Sequence, residues 1–193
     1  MQPEELLFQI GKGDNTAFKQ LYELFKVRVY NTCLSHLQNE SDAEEATQDV
    51  FVEVHRSAAG FKSNAAVSTW IYRIAVNKCI DRIRHNNRQK RFAFVTSIFN
   101  KDSGELMHNP PEFNHPGILA ENKEKAARLF KSIRELPENQ QSAFILKQVE
   151  GLSQKEIAYI LDMTEKGIES LLQRAKANLR KKLGDIYDKN EGF

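Results

Sequence analysis

Cysteine is nearly absent: the 193-residue chain carries two, Cys33 and Cys79, far apart in sequence and set among apolar helical positions. With no C-x-x-C and no H-x-x-x-H, neither a disulfide framework nor a zinc site is expected, and the two thiols read as buried and reduced. The histidines (His36, His55, His85, His108, His115) are scattered, and there is no Gly-rich phosphate loop and no matched nucleophile and base. No catalytic residue, metal ligand or cofactor is therefore expected, and the chain does not read as an enzyme. No apolar run approaches the length of a membrane span, and the start Met1-Gln2-Pro3-Glu4-Glu5 lacks the basic-then-apolar order of a signal peptide. A cytoplasmic protein without direct membrane insertion is the expectation.

The length allows one domain or two small ones and is enough to bury a real core. Net charge is +2, which says little, but its distribution says more. From Gln38 to Glu53 basic residues are missing altogether, while Glu40, Asp42, Glu44, Glu45, Asp49 and Glu53 are acidic. From Arg73 to Arg91 the balance inverts, with Arg73, Lys78, Arg82, Arg84, Arg88, Lys90 and Arg91 against Asp81 alone. One surface seeks a basic partner and the other seeks phosphate.

What is present is most legible from Leu136 to Leu183. Pro137 stands where the first turn of a helix needs no N–H donor, and Gly151 supplies a stop after about Glu150. Ser153-Gln154-Lys155-Glu156 spells a capping box and opens a short helix that turns Ile157, Ala158, Ile160 and Leu161 inward. After Asp162-Met163-Thr164, a third helix carries Ile168, Leu171, Leu172, Ala175, Leu179 and Leu183 at helical spacing. A short helix, a tight turn and a longer amphipathic helix make a helix-turn-helix, whose second helix suits a DNA major groove. Its solvent face holds Lys166, Glu169, Ser170, Gln173, Arg174, Lys176, Arg180, Lys181 and Lys182, which fits a phosphate-lined groove; the plainer reading is a three-helix bundle with a solvated basic face.

Toward the N-terminus, a short helix from about Pro3 should end near Gly11-Lys12-Gly13. Asp14 or Asn15 then caps a longer one with Phe18, Leu21, Tyr22, Phe25, Val29, Cys33 and Leu37 as a core stripe. Ser41-Asp42-Ala43-Glu44 reads as a capping box for a helix to about Ala58, burying Ala43, Val50 and Val54 and leaving Glu45, Gln48, Asp49, Val52 and Glu53 outside. That face is either a solvated acidic surface or a protein-docking one. Ser68 can cap the next helix, which buries Val67, Ile71, Ile74, Ala75, Cys79, Ile80 and Ile83. Arg73, Asn77, Asp81, Arg84 and Arg88 recur along its other side, a stripe able to offer donors to nucleic acid. Phe61, Trp70 and Tyr72 cluster at its start, where aromatic faces suit either unstacked bases or the core. Between about Phe92 and Glu121 periodicity disappears, and Asn109-Pro110-Pro111 and His115-Pro116-Gly117 rule out a regular helix. A helix from about Ile118 to Glu135 then leads into the final domain.

Three segments carry a resemblance that spacing alone does not supply: Asp42-Ala43-Glu44-Glu45-Ala46-Thr47-Gln48-Asp49-Val50-Phe51, Ser68-Thr69-Trp70-Ile71-Tyr72-Arg73-Ile74-Ala75-Val76-Asn77, and Leu136-Pro137-Glu138 with Gly151-Leu152-Ser153-Gln154-Lys155-Glu156-Ile157-Ala158. In their order and separation they resemble a bacterial RNA polymerase sigma factor. The small size resembles the extracytoplasmic-function (ECF) subfamily. The resemblance implies an all-α fold of two small helical domains joined by an irregular linker: 1–92 for core docking, −10 recognition and melting, 93–121 as linker, and 122–193 as the helix-turn-helix domain for the −35 element.

It also implies roles. Glu45, Gln48, Asp49 and Glu53 would dock on the clamp helices of the polymerase β′ subunit. Asn77, Phe61 and Trp70 would hold a flipped −10 base, with Arg73, Arg84 and Arg88 on backbone. The helix-turn-helix would read the −35 element through Lys166, Glu169, Ser170, Gln173, Arg174, Lys176, Arg180 and Lys181, and would meet the flap of the β subunit. The linker would run toward the RNA exit channel. An anti-sigma factor is an expected partner beside core polymerase and promoter DNA. Many relatives carry a basic residue at the positions of Glu169 and Leu171; Glu169 can still accept from cytosine N4. The competing expectation is an ordinary helix-turn-helix regulator that binds duplex DNA without polymerase, usually as a dimer on paired half-sites.

Overall fold

The computed structural model describes residues 2–99 and 123–190, with side chains described for 2–89 and 125–184. Among these residues there are eight α-helices and no strand: α1 (Pro3–Gly11), α2 (Asn15–Leu37), α3 (Glu40–Ser57), a 3₁₀ turn (Ala58–Gly60), α4 (Val67–Phe99), α5 (Lys123–Arg134), α6 (Glu138–Gln148), α7 (Gln154–Leu161) and α8 (Glu165–Asn190).

Local chemistry sets most of the boundaries. Asp14 caps α2 by accepting from the N–H groups of Thr16 and Ala17. Asn39 caps α3, its Oδ1 accepting from Asp42 N at 2.8 Å. The expected Ser41 box is therefore displaced: α2 ends at Gln38 in the left-handed region (φ 51°), and the chain re-enters a helix at once, so Asn39 meets the first orphan N–H before Ser41 can. α4 likewise opens at Val67, ahead of Ser68, with Trp70 N bonded to the Ala66 carbonyl. It continues to Phe99, past the expected linker start, through a stretch with neither Pro nor Gly. The remainder of that linker and the expected helix start at Ile118 lie outside the described residues.

Helices α1 to α4 enclose one core around Leu21, Leu34, Val50, Val54, Ile71 and Ala75. Cys33 and Cys79 lie fully buried in it. At its edge α1 approaches the 3₁₀ turn so closely that a Cβ on Gly11 would stand 3.0 Å from Ala59 Cα, which explains a glycine there. Tyr22, expected in the core stripe, is 37% exposed and lays its ring edge on Phe51 at 4.7 Å between centroids. The period places it at the margin of the stripe.

The C-terminal half does not stand apart. Tyr72 and Val76 of α4 belong to the same apolar core as Ala143 and Leu146 of α6, Ile157 and Ile160 of α7, and Ile168 and Leu172 of α8. α4 is thus buried on two sides, by its own bundle and by the helix-turn-helix. α2 joins from beneath, where the Gln38 amide donates to the Phe130 carbonyl at 2.7 Å and the Gln141 amide to the His36 carbonyl at 3.1 Å. No helix among the described residues is long and apolar enough to cross a membrane.

Candidate polymerase and nucleic-acid interfaces

The inward set of α3 (Ala43, Ala46, Val50, Phe51, Val54) fixes the roll of the helix and turns Gln48, Asp49 and Val52 fully outward; Val52 is 66% exposed. The four residues expected to dock separate into two pairs. Gln48 and Asp49 make no polar contact among the described residues. Glu45 meets Arg82 at 2.6 Å, in a cluster that Asp42 completes at 2.7 Å, and Glu53 meets Lys78 at 3.5 Å. Arg82 and Lys78 were not expected here. They sit one turn apart on α4, on a different side from Arg73, Asn77 and Arg84, and that offset is the signal that separates them.

α4 carries the expected −10 residues along one stripe. Trp70 is half-buried at the margin of the N-terminal core, with Phe61 against it at 5.3 Å and an interplanar angle of 58°. Asn77 is exposed, with both amide functions facing solvent. The arginines are engaged. Arg73 donates to the Tyr159 carbonyl at 3.3 Å, lies over the Tyr159 ring and comes within 3.9 Å of Asp162. Arg84 binds Glu138 in fork geometry at 2.9 and 3.1 Å. Arg88 is exposed, and its Nε donates to the Arg84 carbonyl. Tyr72 departs from the expected aromatic platform: it is 8% exposed, with its hydroxyl donating to Glu150 at 3.1 Å. Burial against the C-terminal half, invisible to local periodicity, takes it from the bases. Burial raises the Tyr72 phenol, with the neighbouring Glu150 adding to the shift. Burial also raises the Glu150 carboxyl, while hydrogen bonds from Thr32 and Tyr72 and the charge of Arg28 pull it back.

The helix-turn-helix is built as the sequence implies. Ser153 and Glu156 close the capping box at 2.8 and 3.3 Å, Asp162 turns the chain in the left-handed region (φ 54°), and the Thr164 hydroxyl accepts from Gly167 N at 3.1 Å. With Ile168, Leu172, Ala175 and Leu179 inward, α8 exposes Lys166, Glu169, Gln173, Arg174, Lys176, Arg180 and Lys181. Ser170 is half-buried and its hydroxyl is spent on the Lys166 carbonyl at 3.0 Å, so it offers less than its neighbours to a groove. Lys182 is drawn aside to Glu135 at 2.6 Å. Leu171 is 7% exposed, which makes it core, and its difference from basic residues in relatives does not bear on base reading.

An acidic helix beside a basic one, joined to a helix-turn-helix, is the architecture of a sigma-70-type transcription initiation factor. The family models agree: Sigma-70 region 2 matches residues 21–89 and Sigma-70, region 4 matches 127–179. The ECF RNA polymerase sigma factor SigM of Mycobacterium tuberculosis is 31% identical over 181 residues, covering 93% of this chain and 84% of that protein. SigW of Bacillus subtilis is 29% identical over 190 residues (96% and 99% covered). The sigma-E factor of Escherichia coli is 29% identical over 180 (92% of each). This chain belongs to the ECF family of RNA polymerase sigma factors, proteins that bind core polymerase and direct it to promoters. The fold is shared with CnrH, solved with the cytosolic domain of CnrY (TM-score 0.66, 22% identity, 94% of this chain and 97% of that one), and with RpoE of Bartonella quintana, solved with NepR (0.63, 21%, 86% and 96%).

Proposed function

We propose a division of labour for this sigma factor. The outward face of α3 docks on core polymerase through Gln48 and Asp49, with Glu45 and Glu53 joining when Arg82 and Lys78 release them. The α4 stripe of Trp70, Arg73, Asn77, Arg84 and Arg88, with Phe61 beside it, binds and opens the −10 element. α8 reads the −35 element. In this reading residues 1–92 serve polymerase and the −10 element, 93–121 connect, and 122–193 serve the −35 element and the β flap. The observation that carries it is the pairing of opposite outward faces on one chain: acid and amide on α3, cations and amides on α8.

The protein acts in the cytoplasm, as a binding factor and not as an enzyme. An anti-sigma factor is a further partner, by analogy with CnrH and RpoE, each solved with a bound regulator. Pull-down with core polymerase, followed by run-off transcription from a library of randomised promoters, tests the whole assignment. Retention on core and polymerase-dependent start-site selection are expected. Tight sequence-specific duplex binding as a dimer, with no retention on core, would instead indicate an independent regulator.

A further inference from the structure

One pole of the N-terminal bundle gathers the end of α1, the start of α2, the end of α3 and the start of α4. Gly11, closing α1, lies against Ala59 of the 3₁₀ turn. Phe18 near the start of α2 meets His55 near the end of α3, ring to ring at 5.1 Å, and Phe61 just past the turn meets Trp70 near the start of α4. The pole is cationic. Lys12, Lys19, Arg56 and Lys62 are exposed, and none of them has a carboxylate partner among the described residues. Against them stands Asp14, whose Oδ1 already accepts from the N–H groups of Thr16 and Ala17.

Cations at helix ends are ordinary, and Lys12 and Arg56 complement the last carbonyls of α1 and α3. Helix chemistry does not account for Phe8. Leu6, Leu7 and Ile10 turn inward, which points Phe8 out: it is 61% exposed, with Lys12 Nζ 4.0 Å from its ring centroid. An exposed ring among unpaired cations suits single-stranded nucleic acid, in which bases stack on the ring and the phosphates follow the charges. The pole also continues the −10 stripe. Phe61 lies two residues past Ala59, at most about 7 Å along the chain, so a strand leaving the Phe61–Trp70 pair meets Lys62 and then the Gly11–Lys12 corner. Arg84 and Arg88 lie on the other side of that pair, toward the end of α4 that leads to the −35 reader, which makes their side upstream. The pole therefore faces the start site.

We propose that this pole is a second single-strand subsite, downstream of the −10 pocket: Phe8 stacks on a base of the non-template strand between the −10 element and the start site, and Lys12 and Lys62 carry the phosphates that lead to it. Stacking accepts any base, so the subsite lengthens the strand held open without adding to the sequence read. The proposal rests on the −10 reading of Phe61, Trp70 and Asn77.

The test uses holoenzyme and labelled non-template oligonucleotides: a short one ending with the −10 element, one extended on its 3′ side by several nucleotides, and one whose extension is abasic. Wild type should bind the extended strand more tightly than the short one. Phe8→Ala should lose about fivefold or more on the extended strand, and nothing on the short or abasic ones. Lys12→Gln with Lys62→Gln should weaken binding of both extended strands and lower their salt slope by roughly 0.7 per charge removed. Helicity and retention on core should match wild type in every variant. Equal binding of the extended strand by wild type and Phe8→Ala would overturn the subsite. Lower retention of Phe8→Ala on core would overturn it too, by showing that the ring meets a protein. Asn77→Ala separates the two readings: weaker binding of the short strand by Asn77→Ala, with Phe8→Ala silent throughout, removes the subsite and leaves the −10 reading standing. A silent Asn77→Ala on the short strand would overturn the −10 reading, and the subsite with it.

Discussion

His36 shows what a single buried side chain can cost. Its ring is 1% exposed, and because a carbonyl only accepts, the 2.8 Å contact to the Thr32 carbonyl fixes the proton on Nδ1; Nε2 then has no partner among the described residues. Burial lowers its pKa to about 4, with the Thr32 bond opposing it. Between that value and the ordinary 6.5 the unfolded chain binds more protons than the folded one. Stability is therefore full above pH 6.5 and falls on acidification, by about 3 kcal/mol once both values are passed. Glu150, with a raised carboxyl, tilts the other way at its own pH, so the effect is best read as a difference. Urea unfolding of wild type and His36→Leu at pH 4.5, 5.5 and 7 should give a shallower pH dependence in the variant; parallel curves would mean that His36 binds its proton as readily in the native state as in the unfolded one. None of this was legible in the sequence, where His36 is one scattered histidine among several. Its backbone carbonyl accepts from the Gln141 amide, 105 residues away, and no local pattern announces that neighbour. By contrast Asp14, Ser153 and Thr164 were legible as caps, because a cap bonds within three residues of itself.

At the scale of the helix, the faces were legible and their internal pairings were not. Periodicity turned the inward residues of α3 and α8 correctly, but Glu45 and Glu53 are committed to α4 in a way that only the packing of two helices reveals. This splits the docking prediction. Asp49→Arg should weaken core binding with native stability kept, whereas Glu45→Arg should also repel Arg82 and lower the unfolding midpoint. Equal losses of stability in the two variants would contradict the division. Truncating one member of a docked charge pair costs on the order of 2–5 kcal/mol when it is desolvated in the complex. On α4, Asn77 has no structural duty, so Asn77→Ala should leave folding and closed-complex formation nearly intact while reducing permanganate reactivity of −10 thymines on duplex templates. Much of that loss should be rescued on a premelted bubble, since unpairing costs a few kcal/mol that the bubble removes. On α8, Arg174→Ala or Lys181→Ala should weaken −35 binding almost uniformly and lower the salt slope by about one, while Glu169→Ala or Gln173→Ala should alter the preferred sequence by roughly 1–3 kcal/mol per base pair read. A randomised −35 library with unaltered preference would show that Glu169 does not face the groove.

For the whole molecule the decisive fact is that the second core borrows from the first. Val76 is fully buried in the C-terminal half although it belongs to α4, and Tyr72 beside it, which the sequence leaves open between bases and core, is core because of a second covering that no local pattern announces. Val76→Ala should therefore destabilise both halves in one transition, by about 1–3 kcal/mol in the range of buried methyl deletions. Calorimetry resolving two separate transitions, only one of them shifted, would show that the seam contributes little. The resemblance conveyed by three short segments was enough to state the all-helical architecture and the family, while the packing of one half on the other lay in contacts such as Tyr72–Glu150, 78 residues apart in sequence, and Arg73–Tyr159, 86 apart. The two cysteines give the molecule a clock of its own. Cys33 and Cys79 are free thiols, both 0% exposed and neighbours inside the N-terminal core, and the residues from 123 onward contain no thiol at all. Alkylating reagents added to the native protein thus time the opening of the N-terminal core, and the moment at which polymerase or a regulator slows that labelling dates its hold on the N-terminal bundle.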